Sequence, residues 1–148
     1  MSMQNAITEL EQLTLTSSAK RFLRESAKWC KFLSILGFIG IGFLLIFAIF
    51  TGTMIDLLQT TVPQPLPNGL AITTTVTYLL LAIIYFFPVY YLFQFSNSMK
   101  KALLMKNDET LEKAFEMLKS HYKYIGVLTI ITISLYLFFI IIMVMGVL

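Results

Sequence analysis

Three stretches of this chain carry no charged side chain for longer than a helix needs to cross a lipid bilayer. They run from Phe32 to Ile55, from about Leu70 to Phe95 inside the longer uncharged region Leu57–Met99, and from Tyr124 to Leu148. A helix covers the ~30 Å of hydrocarbon with roughly 20 residues. A content of 57% hydrophobic against 13% charged residues is not that of a water-soluble domain of 148 residues. The sequence therefore predicts an all-α membrane protein of three long antiparallel transmembrane helices that extend into the cytoplasm as a small helical bundle. Spans are expected at about 32–55, 71–95 and 124–147, in a single membrane domain over 18–148 that follows a flexible polar N-terminus over 1–17. The first block begins too late and runs too long for a signal h-region of about 7 to 15 residues, so the first helix reads as a retained anchor.

Charge sets the orientation. The 11 basic residues fall either before the first block (Lys20, Arg21, Arg24, Lys28, Lys31) or between the second and third (Lys100, Lys101, Lys106, Lys113, Lys119, Lys123). Seven of the 8 acids lie on the same side, leaving a surplus of four positive charges there and only Asp56 opposite. The positive-inside rule then places the N-terminus and the second connection in the cytoplasm, and the Asp56–Leu70 loop and Leu148 on the outer, periplasmic side. A pI near 9 is thereby a topology signal, and no nucleic-acid partner is expected.

The polar segments carry helical patterns of their own. A helix start at Ser17 or Ser18 leads into Ala19, Phe22, Ser26, Trp29, Cys30 and Leu33 on one face, with Lys20, Arg21, Arg24, Lys28 and Lys31 opposite. Thr8 and Glu11 have capping-box spacing. Between the second and third blocks lies a helical hairpin over about 96–123, turning at Lys106, Asn107 and Asp108. Leu92, Phe95, Met99 and Leu103 are expected to face Leu111, Phe115, Leu118 and Tyr122 across it, with Asn107 or Asp108 capping the second arm. Pro63, Pro65 and Pro67 make the outer loop, Gln59–Asn68, a stiff extended strap. Pro88 predicts a kink in the second helix, amid a crowd of aromatics from Tyr85 to Phe95 that suits interfacial anchoring.

Two sets of residues are candidates for function. Lys100, Lys101, Lys106, Lys113, Lys119 and Lys123, with Arg21 and Arg24, are placed to contact a partner or anionic lipid. Gly37, Gly40, Ala48, Gly52, Pro88 and Gly126 are placed for helix packing, because small residues let backbones approach where lipid supplies no hydrophobic drive. Enzymatic parts are missing: there is no metalloprotease motif, no nucleophile with a base, no phosphate-cradling glycine loop and no intramembrane carboxylate cluster. No cofactor or metal is expected, and Cys30, the sole cysteine, permits no intrachain disulfide. His121, the sole histidine, reads as an interfacial packing residue.

The runs YFFPVYYLFQFS (85–96), MKKAL (99–103), ND (107–108) and LEKAFEMLKSHYKYIG (111–126) resemble a family of small bacterial membrane proteins of unknown function, found chiefly in Bacteroidota. The resemblance extends from about Phe22 onward and implies a bacterial inner-membrane protein, with no activity or site residues to carry over. The residues themselves suggest a non-enzymatic accessory or scaffolding subunit, with a homo-oligomeric pore or small-solute transporter as the alternative. Membrane lipids, a protein partner on the cytoplasmic side and further copies of the chain are the partners in view.

Overall fold

The computed structural model describes residues 15–63 and 67–147, and it is all-helical over them. Helix α1 runs Ser17–Thr61, α2 runs Leu70–Met105 and α3 runs Asp108–Val147. All three are long and apolar enough to cross a membrane. Their ends follow from local chemistry. Thr16 caps α1, its Oγ1 accepting from the Ala19 N–H at 3.2 Å. The capping pair Thr8 and Glu11, and all but the last residues of the expected N-terminal segment 1–17, lie outside the described residues.

At its other end α1 runs to Thr61, past the Gln59 at which the loop was expected to begin. The Thr60 and Thr61 hydroxyls both donate to the Leu57 carbonyl, so the final turn satisfies itself without a glycine. The proline strap is correspondingly shorter, and residues 64–66, with Pro65, lie outside the described residues. Gly69, at φ 81°, adopts the left-handed backbone that opens α2. Lys106 closes α2 in the same region at φ 51°, where an L side chain is unfavourable. Asn107 then starts α3 as expected, its Oδ1 accepting from the Thr110 N–H at 2.8 Å, with Asp108 and Glu109 at the positive end of the helix dipole.

α2 is the middle element. It packs on α1 and on α3, while α1 and α3 have no Cα pair within 8 Å of each other. Along the α1–α2 seam the Ser96 hydroxyl donates to the Ala27 carbonyl at 2.6 Å, Val89 lies against Gly37, and the Thr75 hydroxyl reaches the Ala48 carbonyl at 3.3 Å. The seam therefore runs nearly the length of α2. By contrast, the α2–α3 seam fades after Tyr124, and every residue from Thr129 to Gly146 is exposed.

The tightest packing sits at the charged end. Ala27, Phe95, Met99 and Ala114 form one buried cluster drawn from all three helices, with Leu23, Cys30, Leu103, Leu111, Met117 and Leu118 packed around it. This corrects the expected inward faces. On α1 the buried stripe is Leu23, Ala27, Cys30 and Ser34, while Phe22 and Trp29 are 58% and 67% exposed. On α3 the inward residues are Leu111, Ala114 and Leu118, while Phe115 and Tyr122 turn outward. Small residues of α1 and α3, Ala27 and Ala114, meet the large Phe95 and Met99 of α2, which fill the space between the helices.

Candidate functional site

The expected packing residues divide into two groups. Gly37, Ala48 and Gly52 lie in the α1–α2 seam: a Cβ added at Gly37 would meet Val89 Cγ2 at 2.7 Å, and one at Gly52 would meet Thr75 Oγ1 at 2.5 Å. Ala48 is fully buried. Gly40 and Gly126 meet nothing within 4 Å and do not belong to a seam of this chain. Ser34 adds a buried hydroxyl that is satisfied by its own helix, donating to the Lys31 carbonyl at 2.8 Å.

Pro88 lies at the centre of a polar clasp between α2 and α3. A proline has no N–H, so the Ile84 carbonyl four residues earlier loses its helical donor. The Tyr124 hydroxyl of α3 donates to that carbonyl at 3.1 Å. One turn away His121 Nδ1 stands 2.7 Å from the Pro88 carbonyl. A carbonyl can only accept, so the Nδ1 position carries the proton. His121 is thus a packing residue, as expected, and also a hydrogen-bond donor between helices. α2 remains a single helix through Pro88.

Aromatic rings continue these contacts on both sides. Phe38 of α1 lies 5.9 Å from both Phe86 and Phe93, and Phe87 lies 5.8 Å from Tyr124. Tyr85, Phe86, Phe87 and Tyr90 keep much of their surface exposed, which suits the anchoring role expected of them. Near the start of this region burial pushes the Cys30 thiol up, making it a poorer nucleophile and consistent with its place beside the buried cluster.

The charged end holds a cavity of about 290 Å³ between the arms of the hairpin. Gln94, Asn97, Ser98 and Lys101 line it from α2, and Thr110 and Lys113 from α3. Of the eight basic candidates, the structure brings Lys101 and Lys113 together here. Lys100, Lys106, Lys119, Lys123, Arg21 and Arg24 do not line it. Arg21 instead lays its guanidinium 5.3 Å from the Phe22 ring centroid. The neutral members were missed as site residues. Their signal was the i, i+3, i+4, i+7 spacing of Gln94, Asn97, Ser98 and Lys101, which puts four polar side chains on one stripe. Gln94 is held in place by its amide, which donates to the Tyr90 hydroxyl at 2.9 Å. Among the described residues no group of three His, Cys, Asp or Glu side chains could hold a metal ion.

A family model described as a family of unknown function (DUF5362) matches residues 68–144, which hold α2, the turn and most of α3, and with them the clasp and the cavity. No curated protein and no solved structure shows a significant match.

Proposed function

The chain belongs to the DUF5362 family, a family of unknown function, and from that premise we propose that it is a non-enzymatic integral membrane protein of the bacterial inner membrane. It serves as an accessory or scaffolding subunit that contacts a protein partner or anionic lipid through its cytoplasmic helical hairpin. The observation that carries this reading is the buried cluster at the charged end. A mere connection between two spans needs a few residues of loop, whereas here both arms continue as helix and share a buried cluster with α1. The order of the contacts, Ala27 to Ser96 and Ala48 to Thr75, supports an antiparallel pairing of α1 with α2. Those of Pro88 with His121 and Ile84 with Tyr124 support the same for α2 with α3. With the basic residues inside, the N-terminus is cytoplasmic and the C-terminus periplasmic.

Threonines at 73–77 and 129–132 are polar groups in the spans that could line a pore. Thr74, Thr77, Thr129 and Thr132 each donate to the carbonyl four residues earlier in their own helix, so no observation favours the pore or transporter reading. Affinity capture in mild detergent tests the accessory role. Lys113→Glu combined with Lys119→Glu should remove a co-purifying protein or anionic lipid that the wild type retains; an unchanged set counts against the hairpin. Cysteine-accessibility labelling at Asn68 and Asn107 should mark opposite sides of the membrane, and same-side labelling overturns the three-span topology.

A further inference from the structure

We propose that the cavity lined by Gln94, Asn97, Ser98, Lys101, Thr110 and Lys113 is a binding site for the phosphate group of a phosphate ester, lipid or soluble. The inference rests on the reading of the hairpin as the contact surface and names the chemistry it takes.

The lining decides the class of ligand. Its lining residues are two lysines, two with carboxamides and two with hydroxyls, and none carries a carboxylate. Asp108, Glu109 and Glu112 lie in the same part of α3, yet none of them lines the cavity. Such a site favours an anion with several acceptor oxygens. Lysine binds phosphate as a point charge, and hydroxyl and amide donors supply the direction that lysine lacks. The volume, about 290 Å³, suits a headgroup-sized molecule and is too small for a folded partner. The Thr110 N–H is already taken by Asn107, so Thr110 offers the cavity its hydroxyl.

Position agrees with chemistry. Gln94 lies beside Phe95, the last residue of the second apolar block, and Lys101 stands about 10 Å further along α2 at 1.5 Å per residue. The cavity therefore begins at the edge of the apolar block and extends over the depth that phospholipid headgroups occupy. A soluble phosphate ester could enter the same opening from the water.

The test uses the full chain in detergent and in nanodiscs. Native mass spectrometry measures retention of phosphatidylglycerol against phosphatidylcholine, and titration calorimetry measures glycerol 3-phosphate. Lys101→Met with Lys113→Met should weaken phosphate-ester binding roughly tenfold or more, because both charge-assisted contacts are lost. Lys20→Met with Lys28→Met, exposed lysines of α1, removes the same charge outside the cavity and should leave binding nearly unchanged. Asn97→Leu with Thr110→Val keeps the charge and should also weaken binding, which covers the case in which the lysine pair fails to fold. Phosphatidylglycerol retained without glycerol 3-phosphate binding identifies a lipid site; binding of the soluble ester identifies a free ligand. Equal weakening by the two lysine pairs, or no binding of either probe by the wild type, overturns the proposal. Since binding of glycerol 3-phosphate in detergent needs neither a protein partner nor a particular orientation, its failure is separate from loss of a co-purifying protein and from the labelling result.

Discussion

At the charged end of the molecule Ala27, Phe95, Met99 and Ala114 are withdrawn from their surroundings almost entirely, whereas along α3 from Thr129 to Gly146 every residue is exposed. The more hydrophobic region is thus the less buried one. Water drives apolar surface together, and this accounts for a core where lysines and glutamates surround the helices. Lipid tails are as apolar as leucine and would provide no such drive to helices able to cross a membrane; in the apolar blocks the contacts present are close approach and specific polar bonds. The α1–α2 seam uses the first device, at Gly37 and Gly52. The α2–α3 seam uses the second, at Pro88.

This contrast can be broken most forcefully at Met99. Met99→Ala should cost about 2 to 5 kcal/mol in unfolding free energy, since a fully buried side chain leaves a cavity. Phe139→Ala, on the exposed length of α3, should change detergent-phase stability little; equal losses at the two sites would end the distinction between the regions. Next in size is Gly52→Ala, expected to destabilise by about 1 to 3 kcal/mol as its Cβ forces Thr75 aside. Gly40→Ala, which meets nothing, should be neutral or mildly stabilising in the same thermal assay.

A smaller effect isolates the clasp. Tyr124→Phe should cost about 0.5 to 1.5 kcal/mol, the worth of one hydrogen bond to the Ile84 carbonyl. Pro88→Ala restores a backbone donor to that carbonyl, so in a double-mutant cycle the cost of Tyr124→Phe should shrink in its presence. If the two changes simply add, Tyr124 does not compensate for the proline. Smallest is Lys106→Gly, expected to stabilise the hairpin by about 0.5 to 1 kcal/mol by relieving a left-handed lysine.

Helix ends were legible in the sequence because their causes are local. Asn107 caps α3, α2 begins at Leu70 where the second apolar block starts, and it ends at the expected turn of Lys106, Asn107 and Asp108. Only the C-terminal end of α1 was misplaced, where threonine hydroxyls prolong the helix past Gln59. The inward faces were misread by about one position for a different reason. Phe22, Trp29 and Phe115 are the largest apolar residues of their segments, and in a soluble helix size would mark the core. Here α2 fills the cluster with Phe95 and Met99, and that bulk leaves room only for Ala27 and Ala114 from the two flanking helices.

The candidate site was half legible. Lys101 and Lys113 were named because charge is conspicuous, but that they meet depends on the phase of two helices across the turn. Ser98 and Thr110 gave no signal on their own. The clasp was harder still, since Pro88 and His121 are 33 positions apart and nothing in either residue names its partner.

Tyr124 is also the last side chain by which α3 bonds to α2. From there to Gly146 the helix projects about 33 Å at 1.5 Å per residue, with only Leu128 partly covered. Mechanically it is a cantilever clamped at His121 and Tyr124. A rotation of roughly 10° about that clamp carries the free tip about 6 Å for a beam of this length. A small change of angle at the fixed end is therefore magnified along the unsupported length of the helix, with the bond at Ile84 next to the pivot.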